Sequence, residues 1–317
     1  MRVKCKKNIL SILVSLDGTT ANCDLEDYPA NSNYLDAVTY NNGEVLACGG
    51  RDDEHKNRCW SFNGSAWSAL PNFKQNHCGY HSNVLVNEGW WVTGNEVTGQ
   101  LLEEYDDFLQ ETFEEVSYSC TDSPTSEVYN GKAWIPGPTL PGVEYPWSCV
   151  VSLNTTHTFL IGGGVLYTLT TDAWLYDWTS QAWTRTGTFI KRRSAHNCVS
   201  LGGQGILVVG GYGFDGYNSY GFTPDNWIYT VELFDPDRGT WSFQPDIPRD
   251  IKPGVPILLN WDDQVLALFD KENQIYKRSE ENGEWSVLGV VRLPSDFGGY
   301  YDKAVLVPDN WSCNPAQ

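Results

Sequence analysis

The chain has 317 residues, 40 acidic and 21 basic, for a formal net charge of −19 with neutral histidines. That balance argues against nucleic acid and anionic membrane as partners, because both need a positive footprint. Apolar residues form 41% of the chain but never run uninterrupted for the roughly 18 residues of a spanning helix, so a globular chain without a membrane span is expected.

At the N-terminus, Arg2, Lys4, Lys6 and Lys7 precede the apolar run Ile9 to Leu16, and Thr19-Thr20-Ala21 follows as a small-residue cleavage site. Residues 1–21 therefore read as a signal peptide, while the same run, broken by Ser11 and Ser15, reads equally as a structural β-strand. The first repeating unit spans 29–68, where the β-type run Val45 to Cys48 ends in Gly49-Gly50 and Trp67 follows. The second, 73–134, keeps only Gly94 of the doublet and carries a long insertion, Asn95 to Ser126, with Glu103, Glu104, Asp106, Asp107, Glu111, Glu114 and Glu115. That acidic stretch reads as a solvated face, since the Asp-x-Asp-x-Asp-Gly spacing of a calcium loop is missing.

The third unit, 138–183, runs from Gly162-Gly163 to Ala173-Trp-Leu-Tyr176-Asp and Trp183; the fourth, 190–241, from Gly210-Gly211 to Val231-Glu-Leu-Phe234-Asp-Pro and Trp241. The fifth, 247–286, has Leu268-Phe269 in place of the doublet but retains Tyr276 and Glu284-Trp285. Closing tryptophans thus recur on average about every 54 residues. A sixth unit is assembled from both ends, 294–317 plus 1–28, with Asp302 to Val307 as its first strand and Ile9 to Leu16 and Cys23 to Tyr28 as later ones. Each unit holds four short strands, the last two joined by an Asn, Asp, Pro or Gly turn. One four-stranded sheet cannot bury both faces alone, so copies must pack face to face around an axis. The expected fold is all-β, a six-bladed β-propeller whose last blade is closed by both termini, which removes the exposed edge.

The Gly-Gly doublet, the Tyr-Asp pair and the tryptophan at these spacings resemble the kelch repeat over essentially the whole chain. Some kelch propellers are copper radical oxidases or sugar epimerases, so the resemblance implies fold more firmly than activity.

Nine cysteines and the sequons at Asn63, Asn154 and Asn310 suggest an oxidising compartment and a secreted glycoprotein, with a cytoplasmic location as the alternative. Cys48 and Cys59 are expected to bridge two antiparallel strands of one blade, and Cys23 to Cys313 would staple the closing blade. Cys149 and Cys198 hold corresponding positions in consecutive units, where a bridge and a small buried residue are equally good readings. His77 and His81 share a strand face without a third histidine nearby, so no metal or other cofactor is expected. His81 and His196 occupy corresponding positions where other units carry Tyr34 and Trp147, which points to a role in the repeat.

Connections after the doublet strand all leave one end of the disc. In the fourth unit this connection carries Tyr212, Phe214, Tyr217, Tyr220 and Phe222 between glycines and polar residues, a composition suited to recognition. The expected function is a monomeric, non-catalytic scaffold recognising a protein or glycan through this loop face. The alternative is a carbohydrate-active or oxidase-type enzyme with its site at the channel mouth.

Overall fold

In the computed structural model, the described residues are 12–14, 20–22, 29, 35–40, 43–49, 57–74, 82–87, 89–93, 126–141, 147–164, 169–213, 227–251, 254–261, 263–269 and 274–290. Strands β1 (Ile12–Val14) and β2 (Thr20–Asn22) form a small sheet of their own. Five antiparallel meanders follow. Blade one holds β3 (Leu35–Thr39), β4 (Val45–Gly49), β5 (Cys59–Phe62) and β6 (Trp67–Leu70). Blade two holds β7 (Ser82–Val86), β8 (Gly89–Thr93), β9 (Ser126–Tyr129) and β10 (Trp134–Pro136). Blade three holds β11 (Cys149–Ser152), β12 (His157–Ile161), β13 (Asp172–Asp177) and β14 (Ala182–Thr188). Blade four holds β15 (Asn197–Ser200), β16 (Ile206–Val209), β17 (Val231–Asp235) and β18 (Thr240–Gln244). Blade five holds β19 (Ile257–Trp261), β20 (Gln264–Leu268), β21 (Gln274–Arg278) and β22 (Trp285–Val290).

The expectation of six blades is corrected to five, since five four-stranded sheets are formed among the described residues. Among the described residues no blade is closed by the two termini. Strand β1 is paired with β2, from Ile12 opposite Asn22 to Val14 opposite Thr20. Two strands so near in sequence satisfy each other at little loop-closure cost, which favours a local hairpin over a strand brought from the far end. Asp302 to Val307, Cys23 and Cys313 lie outside the described residues.

Burial explains why the strands of one blade differ in pattern. The second strand of each blade lies between two neighbouring sheets and is apolar on both faces, as in Ile206–Val209, where all four residues are buried. The fourth strand is outermost and half solvated, and β18 accordingly has only exposed and partly buried residues. Between the third and fourth strands, an Asn or Asp carboxamide or carboxylate oxygen holds the turn. Asn63 accepts from the amides of Ser65 and Ala66, Asn130 from those of Lys132 and Ala133, and Asp235 from those of Asp237 and Arg238.

Four apolar clusters fill the spaces between successive blades, from blades one and two through blades four and five. Each is closed by the same pair of parts. An apolar side chain just after the last strand of one blade packs with the tryptophan that opens the last strand of the next. Phe73 meets Trp134 at 4.3 Å between ring centroids, and Phe189 meets Trp241 at 5.7 Å. Leu140 shares a cluster with Trp183, and Ile247 with Trp285. The indole N–H of Trp134 also donates to the Pro71 carbonyl at 2.9 Å, and that of Trp183 to the Thr139 carbonyl at 2.7 Å.

The first strands β3, β7, β11, β15 and β19 run side by side around the axis. Side chains lace them together: Ser152 donates to Leu85, Asn197 to Pro256 and Asn260 to Ser200, all to backbone carbonyls. Cys149 and Cys198 add a disulfide between β11 and β15, so the bridge is formed, and Cys48 is joined to Cys59 across the registered pair β4–β5.

Trp134→Ala should cost about 3–5 kcal/mol in denaturant unfolding, because it empties a buried inter-blade site, whereas Phe243→Ala, on a ring already 50% exposed, should change stability by less than about 0.5 kcal/mol. Replacing Cys149 and Cys198 together by serine opens a loop with a sequence separation of 49. Unfolding under non-reducing conditions should register a loss of about 2–4 kcal/mol.

Candidate functional site

In a four-stranded meander the connections between blades and those after the second strand leave the same end of the disc. The first strands also begin there, so this end forms the mouth of the axis. Blades three and four define it best. Ahead of β15 stand Arg193, Ser194, Ala195 and His196; ahead of β11 stands Trp147; and Gly210, Gly211 and Tyr212 follow β16.

Arg193 and Glu232 are the charged centre of this end. Their side chains are wholly buried and meet at 2.7 Å. Desolvation lowers the guanidinium below its ordinary value, and the charge of Glu232 opposes that shift. Arg193 Nη1 donates to the Gly210 and Thr230 carbonyls at 2.9 and 3.0 Å and Nη2 to the Thr230 hydroxyl at 3.1 Å, while Nε is buried without a hydrogen-bond partner. Glu232 also accepts from the backbone amides of Ile190 and Lys191. In the second blade, Glu127 does the same for the Lys74 amide, at 3.1 and 3.2 Å. A glutamate two residues before the turn-flanking aromatic therefore ties the incoming connection to the blade.

His196 is buried against this pair. Its Nε2 donates to the Ile161 carbonyl at 3.1 Å, and burial first, then the nearby Arg193 charge, pushes its pKa down to about 3. The ring is neutral at physiological pH. Glycine doublets of two blades make room for it. A Cβ on Gly162, at φ 59°, would lie 2.8 Å from His196 Cε1 and 2.8 Å from Phe189 Cζ. One on Gly211, at φ 88°, would lie 2.5 Å from the Ser194 carbonyl oxygen and 2.8 Å from His196 Cβ. The doublet is thus required by a close approach as well as by its positive φ.

Two residues at the mouth hold backbone conformations that side chains disfavour. Trp147 has φ 60° and Ala195 has φ 51°. The Ala195 amide donates to the Trp147 carbonyl at 3.0 Å, which couples the two strained residues across adjacent blades. Gln181 and Asp263 also have positive φ, but both lie at turns between paired strands. Non-glycine residues in this region cost on the order of 1–3 kcal/mol each and persist where surrounding structure imposes them.

Among the aromatic residues expected to recognise a ligand, Tyr212 is buried and bridged to Ser194 and Trp227 by backbone pairing. Its ring lies 6.4 Å from that of Trp227 in an edge-on arrangement. Phe214, Tyr217, Tyr220 and Phe222 lie outside the described residues, as do the acidic insertion, His77 and His81. Among the described residues no three His, Cys, Asp or Glu side chains converge as a metal-binding group. No described helix is long and apolar enough to cross a membrane. The strained pair Trp147 and Ala195 escaped sequence reasoning, because no composition signal marks a non-glycine residue with positive φ.

The non-catalytic scaffold is corrected on this geometry. Its described aromatic, Tyr212, is a packed structural ring and is not available as a recognition surface. Glu232→Gln should destabilise the chain by about 3–5 kcal/mol, since it leaves the Arg193 charge buried without its counter-ion; denaturant unfolding at neutral pH reads this directly. His196 adds a pH dependence. Its folded pKa of about 3 lies below the ordinary 6.5, so the stability it contributes is complete above the ordinary value and is lost as pH falls toward the folded one. In His196→Asn, the loss of stability across that interval should be shallower.

No family model matches the chain, and no curated protein matches it. The expected kelch resemblance is corrected by the architecture: the described residues form a five-bladed propeller of four-stranded antiparallel sheets. Among solved structures the chain is similar to one described as the structure of YjhT, at 14% identity and a TM-score of 0.64, over 85% of this chain and 88% of the other. At that identity the likeness is one of fold.

Proposed function

We propose that the chain is a carbohydrate-active propeller enzyme whose substrate sits at the mouth of the axis, on the end where β11 and β15 begin. The observation that carries this reading is the hydrogen-bonded pair Trp147 and Ala195, two strained residues held side by side at that mouth. Strain of this kind clusters at sites where a group must be presented in one orientation. Trp147 is half-buried, and an indole at a channel mouth suits a sugar face, whose C–H groups are apolar while its hydroxyls need polar partners. Behind it, the Arg193–Glu232 pair and neutral His196 form a buried frame tied to the backbone carbonyls of Gly210, Thr230 and Ile161. Their part is to position the mouth.

The likeness to the solved YjhT structure supports a propeller of this architecture as the scaffold. The acidic balance of the chain, −19 overall, suits a neutral or cationic sugar better than a polyanion.

A panel of free sugars and glycosides tests the reading. The full chain should turn over at least one class with saturation, and Trp147→Ala should lower kcat/KM by tenfold or more, the loss of one stacking contact of about 1.4 kcal/mol, while unfolding as cooperatively as the parent. Absence of turnover and of saturable sugar binding in the parent, or full activity in Trp147→Ala, would overturn it.

A further inference from the structure

Two of the three sequons fall on described residues, and the topology brings them to the same end of the disc. Asn63 lies in the turn between β5 and β6, the third and fourth strands of blade one. Asn154 lies in the turn between β11 and β12, the first and second strands of blade three. In a four-stranded meander these two kinds of turn leave one end, opposite the mouth. Contacts between neighbouring blades agree: Tyr40, after the first strand of blade one, packs on Tyr129 at the end of the third strand of blade two, with ring centroids 6.1 Å apart.

Both asparagines are exposed, and both are held in the same local geometry. The Asn63 carboxamide oxygen accepts from the Ser65 amide at 3.0 Å and from the Ser65 hydroxyl at 2.9 Å. The Asn154 oxygen accepts from the Thr156 amide at 2.9 Å and from the Thr156 hydroxyl at 3.1 Å. In each sequon the hydroxyl residue thus engages the oxygen of its own asparagine, and the Nδ2 is turned away from that contact on a tight surface turn. Two disulfides, Cys48–Cys59 and Cys149–Cys198, independently point to an oxidising compartment, where asparagine-linked glycan transfer also takes place.

We propose that Asn63 and Asn154 both carry N-linked glycans, which coat the end of the propeller opposite the mouth. The donor is a lipid-pyrophosphate-linked oligosaccharide. A bond forms between Nδ2 and the anomeric carbon, the bond from that carbon to the pyrophosphate oxygen breaks, the amide gives up one proton, and the lipid pyrophosphate leaves. This inference does not rest on the proposed enzymatic activity.

Protein recovered from its own source is compared by intact mass before and after peptide:N-glycosidase treatment in heavy-oxygen water. At least two glycans should be released, and peptide mapping should find heavy-oxygen-labelled aspartate at positions 63 and 154. In the same source, Asn63→Gln and Ser65→Ala should each remove one glycan, and Asn154→Gln and Thr156→Ala the other, with cooperative unfolding retained. Unmodified asparagine at either position in the parent, or a glycan persisting in Ser65→Ala or Thr156→Ala, would overturn the proposal.

Discussion

The fold hangs on a contact repeated from blade to blade: an apolar residue leaving one sheet is trapped beneath the tryptophan that begins the outer strand of the next. Phe73 with Trp134 and Phe189 with Trp241 are ring-on-ring versions, while Leu140 with Trp183 and Ile247 with Trp285 use an aliphatic partner. A four-stranded sheet has two faces to bury and cannot do so by itself. This contact supplies the missing cover and fixes the angle at which the next sheet follows. Because the trapped residue lies at the end of one blade and the tryptophan in the next, the connection between them is pinned at both ends. It reaches the axis in a defined place.

That pinning lets ionisable groups be buried near the mouth at all. An isolated arginine would lose far more in desolvation than a fold of this size could offset. Arg193 is accepted because Glu232 and the carbonyls of Gly210 and Thr230 are already arranged around it. The glutamate in turn holds the amides of the incoming connection, so the ion pair and the connection stabilise each other. His196 fits only since Gly162 and Gly211 lack a Cβ. Doublets that look like turn residues in the sequence are spaces reserved for a ring.

Periodicity made the four strands of a blade legible. The unbroken apolar run Ile206 to Val209, the turn at Asp235 and the tryptophan at 241 each have a local physical cause that can be recognised in one dimension. Blade number was not legible. It depends on whether β1 finds β2 or a distant strand, and the short loop between β1 and β2 wins at low entropic cost. Likewise, the glycine and aromatic content after β16 suggested an open recognition loop, yet Tyr212 is buried and its backbone is paired with Ser194. Composition describes what a residue could present and says little about which way the fold turns it.

The sequence alone determined the four-strand unit, the tryptophan spacing, the disulfide between neighbouring strands at Cys48 and Cys59, and the acidic balance of the molecule, because all of these arise from local pattern or simple counting. Tertiary structure decided between the two readings of Cys149 and Cys198, since only the approach of β11 to β15 brings their sulfurs together. It also decided where strain and charge collect. Trp147 and Ala195 acquire positive φ, and Arg193 loses its water, through packing between blades. Such interactions join residues from separate repeats, so no spacing within one repeat can encode where they meet.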